Sequence, residues 1–400
     1  MDGMQTLDHG RSVIAVELRP IEEMPDLAQL WTDLEARADG SFFLSWRWIG
    51  TWLHHRPPGC RAFVLTARRA EGVVGLAVLV RRDGWRIGAL RTRRLLLHES
   101  GDAVFDRLSI EYNGILADRR CAAVVTFACL EALGRVTARW DELVLSGLDP
   151  GTEDLVRQAA AHAGYSLHVH RVDCCRSVDL NRVRSGGYRA ALGSSTRSAV
   201  NRSIRLYQAR GGLEFRVAED AREALALFDA MEALHRAAWK ARGKRCAFDN
   251  PAFGPLHRDL IGSAGNAVRL CRVSAGGQLI GVLYNLVHQG RVLNYQSGFA
   301  YEPDNRLKPG LVSHVLAIED AIDRGEHCYD FMAYAAGHKD RLSNARQRMV
   351  WLTIGPDRVG RRIDTGVRTA EIRAKALCKA ALCVAAQVGA RIRAAAAPPI

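Results

Sequence analysis

Around Val73 the chain reads EGVVGLAVLVRR and around Leu279 it reads GGQLIGVLYNLV, each a turn glycine leading into an apolar strand, with Gly75 and Gly281 in equivalent places. An internal repeat constrains a fold strongly, because both halves must build the same supersecondary unit. The wider order agrees in the two halves: an extended segment, a helical stretch, two apolar strands joined by a turn, another strand, a helix and a short strand. This order predicts an α/β chain made of tandem units, each a mixed, mostly antiparallel sheet flanked by helices.

In the first copy, placed at residues 12–175, the pattern predicts strand Val13–Leu18, helix Asp26–Ala38, helix Ser45–His55, and strands Ala62–Ala67, Val74–Arg81 and Arg107–Tyr112. Helix Ala122–Leu133, strand Glu142–Ser146, helix Glu153–Ala163 and strand Ser166–His170 complete it. The second copy, residues 212–355, is read as strand Leu213–Val217, helices Arg222–Ala241 and Phe253–Ser263, and strands Val268–Ser274, Leu279–His288 and Arg291–Phe299. Helix Leu311–Arg324 and strands Cys328–Met332 and Met349–Thr353 follow. A basic helical connector, residues 176–211, joins the copies, and an Ala/Arg-rich helical tail, 356–400, follows them.

An apolar content of 48% over 400 residues can bury a sizeable core, which excludes a disordered chain, a collagen-like repeat and a small disulfide scaffold. The net charge of +13 suggests a polyanion partner until it is located. Residues 182–216 carry +7 and residues 356–400 carry +6, so the remainder is neutral. Only six of the 56 basic side chains are lysine, a bias that reflects genome composition as much as function. Ten cysteines without a CxxC pair fit a reducing compartment, and neither an 18-residue apolar stretch nor a leader pattern at the start is seen, so a cytoplasmic protein is expected. Nicotinamide and P-loop chemistry are excluded by pattern, since no strand leads into GxGxxG and no GxxxxGK[ST] occurs.

Two clusters carry chemistry. The loop Asn305–Leu311, NRLKPGL, lies between a strand and a helix and sets Arg306, Lys308 and Gly310 beside orphan N–H groups, an arrangement suited to a diphosphate. An ordinary turn opened by Pro309 is the plainer account. Residues 329–341, YDFMAYAAGHKDR, bring Asp330, Tyr334, His338 and Lys339 to a strand terminus, where a carboxylate and an imidazole can move a proton from an attacking amine or hydroxyl. Lesser features read more simply. His168 and His170 alternate as on one strand face without a second ligand pair, so no metal is expected. His98, Glu99 and Asp102 form a small polar cluster, Trp48 and Trp52 share a helix face suited to core packing, and Arg197, Arg202, Arg205 and Arg210 make a solvated helix face or a polyanion site.

The repeats, the connector YRAALGSSTRSAVNRSIRLYQARGG, the loop RLKPG and the closing DFMAYAAGHK together resemble GNAT-superfamily acyltransferases of the cellulose-biosynthesis CelD (BcsL) type, relatives of the FemAB aminoacyltransferases, over residues 12–355. The resemblance implies tandem GNAT-like sheets with splayed strands, acetyl-CoA or another acyl-CoA as co-substrate in the second copy, a cofactor-free first copy, and no metal. It places Ser297, Gly298 and Phe299 at the thioester and Arg306, Lys308, Gly310 and Leu311 at the diphosphate. Asp330 with His338 would handle the proton, beside Tyr334 and Lys339. The family loop R/Q-x-x-G-x-G/A keeps here the Arg and one glycine. Of the family's D-F-x-x-G and Y-K pair, Asp330, Phe331 and Lys339 match, whereas Tyr334 replaces the glycine and His338 the tyrosine, which points to a different acceptor. The implied acceptor is a small molecule or a glycan precursor, with no DNA partner, RNA set aside and membrane contact at most peripheral through the tail. Two alternatives stand beside this reading: aminoacyl transfer from charged tRNA, and a non-catalytic component of exopolysaccharide assembly.

Overall fold

The computed structural model describes residues 14–358, apart from 86–90, 109, 138–139, 264 and 335–336, together with Gly366. The expected tail helix therefore lies almost wholly outside the described residues. The first copy runs β1 (Ala15–Pro20), α1 (Leu27–Glu35), α2 (Trp46–His55), β2 (Ala62–Arg69), β3 (Gly72–Trp85), β4 (Arg91–Leu97) and β5 (Leu116–Ala117). It continues with α3 (Ala122–Val136), β6 (Glu142–Leu148), α4 (Pro150–His162) and β7 (Tyr165–Asp179). The connector forms α5 (Tyr188–Ala191) and α6 (Ser194–Gln208), broken at Leu192-Gly193 instead of the single helix expected. The second copy adds β8 (Leu213–Val217), α7 (Ala221–Lys240), α8 (Phe253–Ser263), β9 (Val268–Ala275), β10 (Gln278–His288) and β11 (Arg291–Phe299). It ends with α9 (Pro309–Asp323), β12 (Cys328–Asp330), α10 (Gly337–Leu342) and β13 (Ala345–Pro356).

The repeat is visible at its glycines. A Cβ on Gly75 of β3 would lie 2.4 Å from a Val125 methyl on α3, and a Cβ on Gly281 of β10 would lie 2.4 Å from Ser313 Oγ on α9. Each copy presses one helix onto its third strand at the same point, and only glycine allows that approach. The parallel pairings repeat as well: β4 with β6 and β11 with β12.

Among the described residues, thirteen strands form one mixed sheet in the order β1-β2-β3-β4-β6-β13-β7-β12-β11-β10-β9-β8, with β5 on β3. The copies exchange their last strands. β13 enters the first copy beside β6, β7 enters the second beside β12, and the two pair antiparallel from Ala345/Ser177 to Pro356/Tyr165. Helices α1, α2, α7 and α8 share one continuous core on one sheet face. On the other face α3 and α4 cover the first copy, while α6 and α9 cover the second.

One expected strand requires correction. Arg107–Tyr112 is not extended: Phe105–Leu108 is a 3-10 turn, followed by a loop in which Tyr112 has φ +53°. The strand in that place is β4, whose basic first half, Arg91 to Arg94, hides the alternation that marks a half-buried strand. The loop passes over β6 so closely that a Cβ on Gly147 would sit 2.7 Å from the Ile110 carbonyl. That path carries Glu111 and Tyr112 out of their own copy and into the seam with the other.

Candidate active site

Strands β11 and β12 pair only from Arg291/Cys328 to Leu293/Asp330 and then part. Between Asn294–Phe299 and Phe331–Tyr334 a cavity of about 520 Å³ opens, walled by His235 and Trp239 of α7. Helix and strand meet tightly there, since a Cβ on Gly298 would fall 2.6 Å from the Met231 carbonyl. His235 Nδ1 lies 2.9 Å from the Ser297 carbonyl, and burial lowers the pKa of its ring. Tyr295 crosses the seam to donate its hydroxyl hydrogen bond to the Leu108 carbonyl of the first copy.

Glu111 also crosses the seam and lines this cavity. Its carboxylate accepts the Ala333 N–H at 2.9 Å. Burial, with the charge of Asp330 adding to it, pushes the carboxyl up to about 7, against the pull of the Ala333 amide, Lys339 and Arg171. The bent segment after β12 supplies that amide, with Met332 at φ +62° and Tyr334 at φ +75°. Left-handed backbone in two non-glycine residues has to be held in place from outside, at about 1–3 kcal/mol each. Lys339 holds it: Nζ donates to the Phe331 carbonyl at 2.6 Å and to the Ala333 carbonyl at 2.9 Å. Burial lowers the pKa of this ammonium, while Glu111 and Asp330 oppose the effect.

Asp330 lies beneath the cavity, with no exposure to solvent. It accepts the Met332 N–H at 2.7 Å, Arg291 Nη1 at 2.7 Å and the Tyr112 hydroxyl. Those contacts make it an anchor between β11, the bent segment and the first copy. A second cleft of about 250 Å³ adjoins the site, and Glu99, Asp106, Glu111, Arg171 and Tyr334 line it. Burial and the neighbouring Asp106 push Glu99 up to about 7, and its carboxylate accepts Ser146 Oγ–H at 2.8 Å. His98, the neighbour of Glu99, turns away, with Nδ1 2.8 Å from Asn113 Oδ1 and its pKa lowered by burial to about 4. Asp102 accepts the Val104 and Phe105 N–H groups and closes a turn.

The structure thus gathers Ser297, Gly298, Phe299, Tyr334 and Lys339 around one cavity. The His338 backbone lies in α10, and its side chain is outside the described residues. Arg306, Lys308, Gly310 and Leu311 do not line the cavity. Arg306 is paired with Asp304 at 2.8 Å, the Lys308 N–H donates to Ser203 Oγ of α6 at 2.9 Å, and Leu311 is buried. Gly310 faces the Phe299 ring, 3.3 Å from where its Cβ would be. The start of α9 is therefore already in contact with the connector helix. Cations stand instead at the cavity mouth, where Arg242 and Arg245 line it with Trp239 and Tyr301. Arg242 lies over the Tyr301 ring at 5.1 Å, and exposed Lys240 and Lys244 flank Arg242 in sequence.

Sequence reasoning missed Glu111, Arg291, Tyr295, His235 and this basic rim. A signal was present for the rim in the run WKARGKR, residues 239–245. Glu111 offered none, because its partner Ala333 is 222 residues away. The His168 and His170 rings meet edge to face at 4.7 Å on β7, and His170 Nε2 lies 3.0 Å from Thr353 Oγ1. Among the described residues, the one group of three with metal-ligand types close together is His54, His55 and Asp259, none of which lines the cavity.

Residues 194–340 match the family described as "Acetyltransferase (GNAT) domain". That match supports acyltransferase as the enzyme class. No curated protein matches the chain. Among solved structures it resembles FemX, with TM-score 0.56 and 8% identity over 81% of this chain and 95% of that one. It also resembles the L-PGS of Bacillus licheniformis, with TM-score 0.51 and 11% identity over 85% of this chain and 96% of that one. A third likeness is the C-terminal domain of a putative lysylphosphatidylglycerol synthetase from Agrobacterium fabrum, with TM-score 0.50 and 11% identity over 86% and 95%. At such identities the likeness is one of fold.

Proposed function

We propose that this enzyme transfers an acyl group from a phosphate-bearing donor, acyl-CoA in the first instance, to an amine or hydroxyl of a small-molecule or glycan-related acceptor held in the seam cavity. The observation that carries the reading is Glu111, a buried carboxyl raised to about 7 on the wall of that cavity. A carboxylate of that strength can accept a proton from the acceptor nucleophile near neutral pH. The donor contributes the activated carbonyl. The acceptor nitrogen or oxygen bonds to it, Glu111 takes the proton, the carbon–sulfur bond breaks, and Glu111 returns the proton to the departing thiolate. Ser297 N–H now faces Gln296 Oε1 at 3.0 Å, a contact that a thioester oxygen would replace.

Glu111→Gln tests the reading. Turnover should collapse while donor affinity, measured by thermal shift, stays as in the parent protein. Unchanged turnover would remove Glu111 as the base.

Two observations favour charged tRNA as the donor in a second reading: the start of α9 is in contact with α6, and Arg107, Arg242 and Arg245 line the cavity. Titration with acetyl-CoA, a long-chain acyl-CoA and a charged tRNA separates the two. Salt-sensitive RNA binding with no response to any CoA would establish the second reading.

A further inference from the structure

The first copy contains a cavity that acyl transfer at the seam does not use. Strands β4 and β6 pair from Arg94/Glu142 to Leu96/Val144. Where they part, a cavity of about 520 Å³ runs between the sheet and helices α3 and α4. Leu65, Leu79, Leu97, Leu143, Leu145 and Leu148 form its floor. Protein interiors are close-packed, so a space this large inside a leucine core is a built feature of the fold.

The second copy shows the contrast. Its equivalent space, between β11, β12 and α9, is filled by rings: Phe299 lies 5.7 Å and Phe331 5.2 Å from His314. The same unit is plugged in one half and open in the other. Polar groups gather at the open cavity's mouth, where exposed Arg119, Gln289 and His327 stand around the way in. His288 Nε2 also lines it, buried and without a hydrogen-bond partner.

We propose that this cavity takes the hydrocarbon chain of a linear fatty-acyl amphiphile, whose polar end rests at the mouth beside His288 and Gln289. The lining selects the class. The floor is aliphatic, and Phe42 and Tyr112 are the two residues with phenyl rings among the many that line the cavity, so a flexible chain fits it better than a flat ring system. A volume of this order suits one ligand, with an unpartnered nitrogen near the entrance to orient its polar end.

The inference stands apart from the proposed reaction and is tested by binding alone. The full chain is titrated with cis-parinaric acid, which brightens in apolar surroundings, and the probe is displaced with hexadecanoate. Saturable binding of one probe per chain is expected, unaffected in Glu111→Gln. Leu155→Trp, which fills the cavity from the half-exposed side of α4, should weaken it at least tenfold without lowering the melting temperature. Thr152→Trp at the mouth does the same should the first variant fail to fold. Absence of saturable binding, equal binding in the filled variants, or binding of coenzyme A without the free chain would each overturn the proposal.

Discussion

The two halves build the same splay with opposite contents. In the second copy the parting strands enclose a glutamate, a lysine and tyrosines, while in the first they enclose leucines. Neither half owns its contents. Glu111 leaves the first copy to reach the second copy's cavity, and Arg291 and Gln347 of the second line the first copy's cavity. The two halves share a backbone plan, while the titratable side chains gather in the cavity at the seam and the leucines in the other.

The sharpest test of that division is Glu111→Gln. It should lower kcat/KM by about 10²–10⁴, the range of a lost general base. In the parent enzyme activity should climb as pH rises through about 7, where the carboxylate forms, and the variant should lose that limb. A rate unchanged by the substitution would mean that the chemistry is not centred at the seam.

Asp330→Ala should break both halves together, because one carboxylate holds Tyr112 and Arg291 at the leucine cavity and Met332 at the polar one. Leaving buried partners unmatched should cost about 3–5 kcal/mol in denaturant unfolding. The glycine pair sharpens the comparison at smaller scale. Gly75→Ala and Gly281→Ala should each destabilise by about 1–3 kcal/mol. Gly75→Ala should cost more, since its Cβ meets a branched valine methyl whereas Ser313 Oγ can turn aside.

Glu99 gives the smallest effect. Its carboxyl titrates near 7 in the fold and near 4.5 when free, so the stability it contributes is present at low pH and is lost as pH rises through about 7. Glu99→Gln should therefore leave unfolding unchanged at pH 4 and raise stability at pH 8 by on the order of 1–2 kcal/mol, allowing for water in the adjoining cleft. A gain at low pH instead would contradict the burial argument.

Local patterning carried much of the fold. Leu213–Val217, Phe253–Ser263 and Arg291–Phe299 have the boundaries that their alternation and helical spacing predict. The misses share a cause in tertiary context. β7 extends to 15 residues, well past the predicted Ser166–His170, because β13 pairs along its polar stretch and satisfies a backbone that the sequence alone leaves open. At the candidate site, residues on one strand or loop were legible as neighbours, and Ser297 to Phe299, Tyr334 and Lys339 line one cavity. Glu111 was not legible there, since long-range folding alone brings residue 111 beside residue 333. The loop at Arg306 has the residue types for a phosphate, and in this structure Arg306 is paired with Asp304 and the Lys308 N–H is donated to Ser203 Oγ.

The exchanged end strands have a consequence for synthesis. During translation the first half is complete as sequence long before it is complete as a sheet, because the slot between β6 and β7 waits for residues 345–356. Until those residues leave the ribosome, β6 and β7 present open edges that another nascent chain could enter. The enzyme should thus depend on chaperone shelter late in synthesis, and the two halves should melt as one unit, since withdrawing β13 opens both.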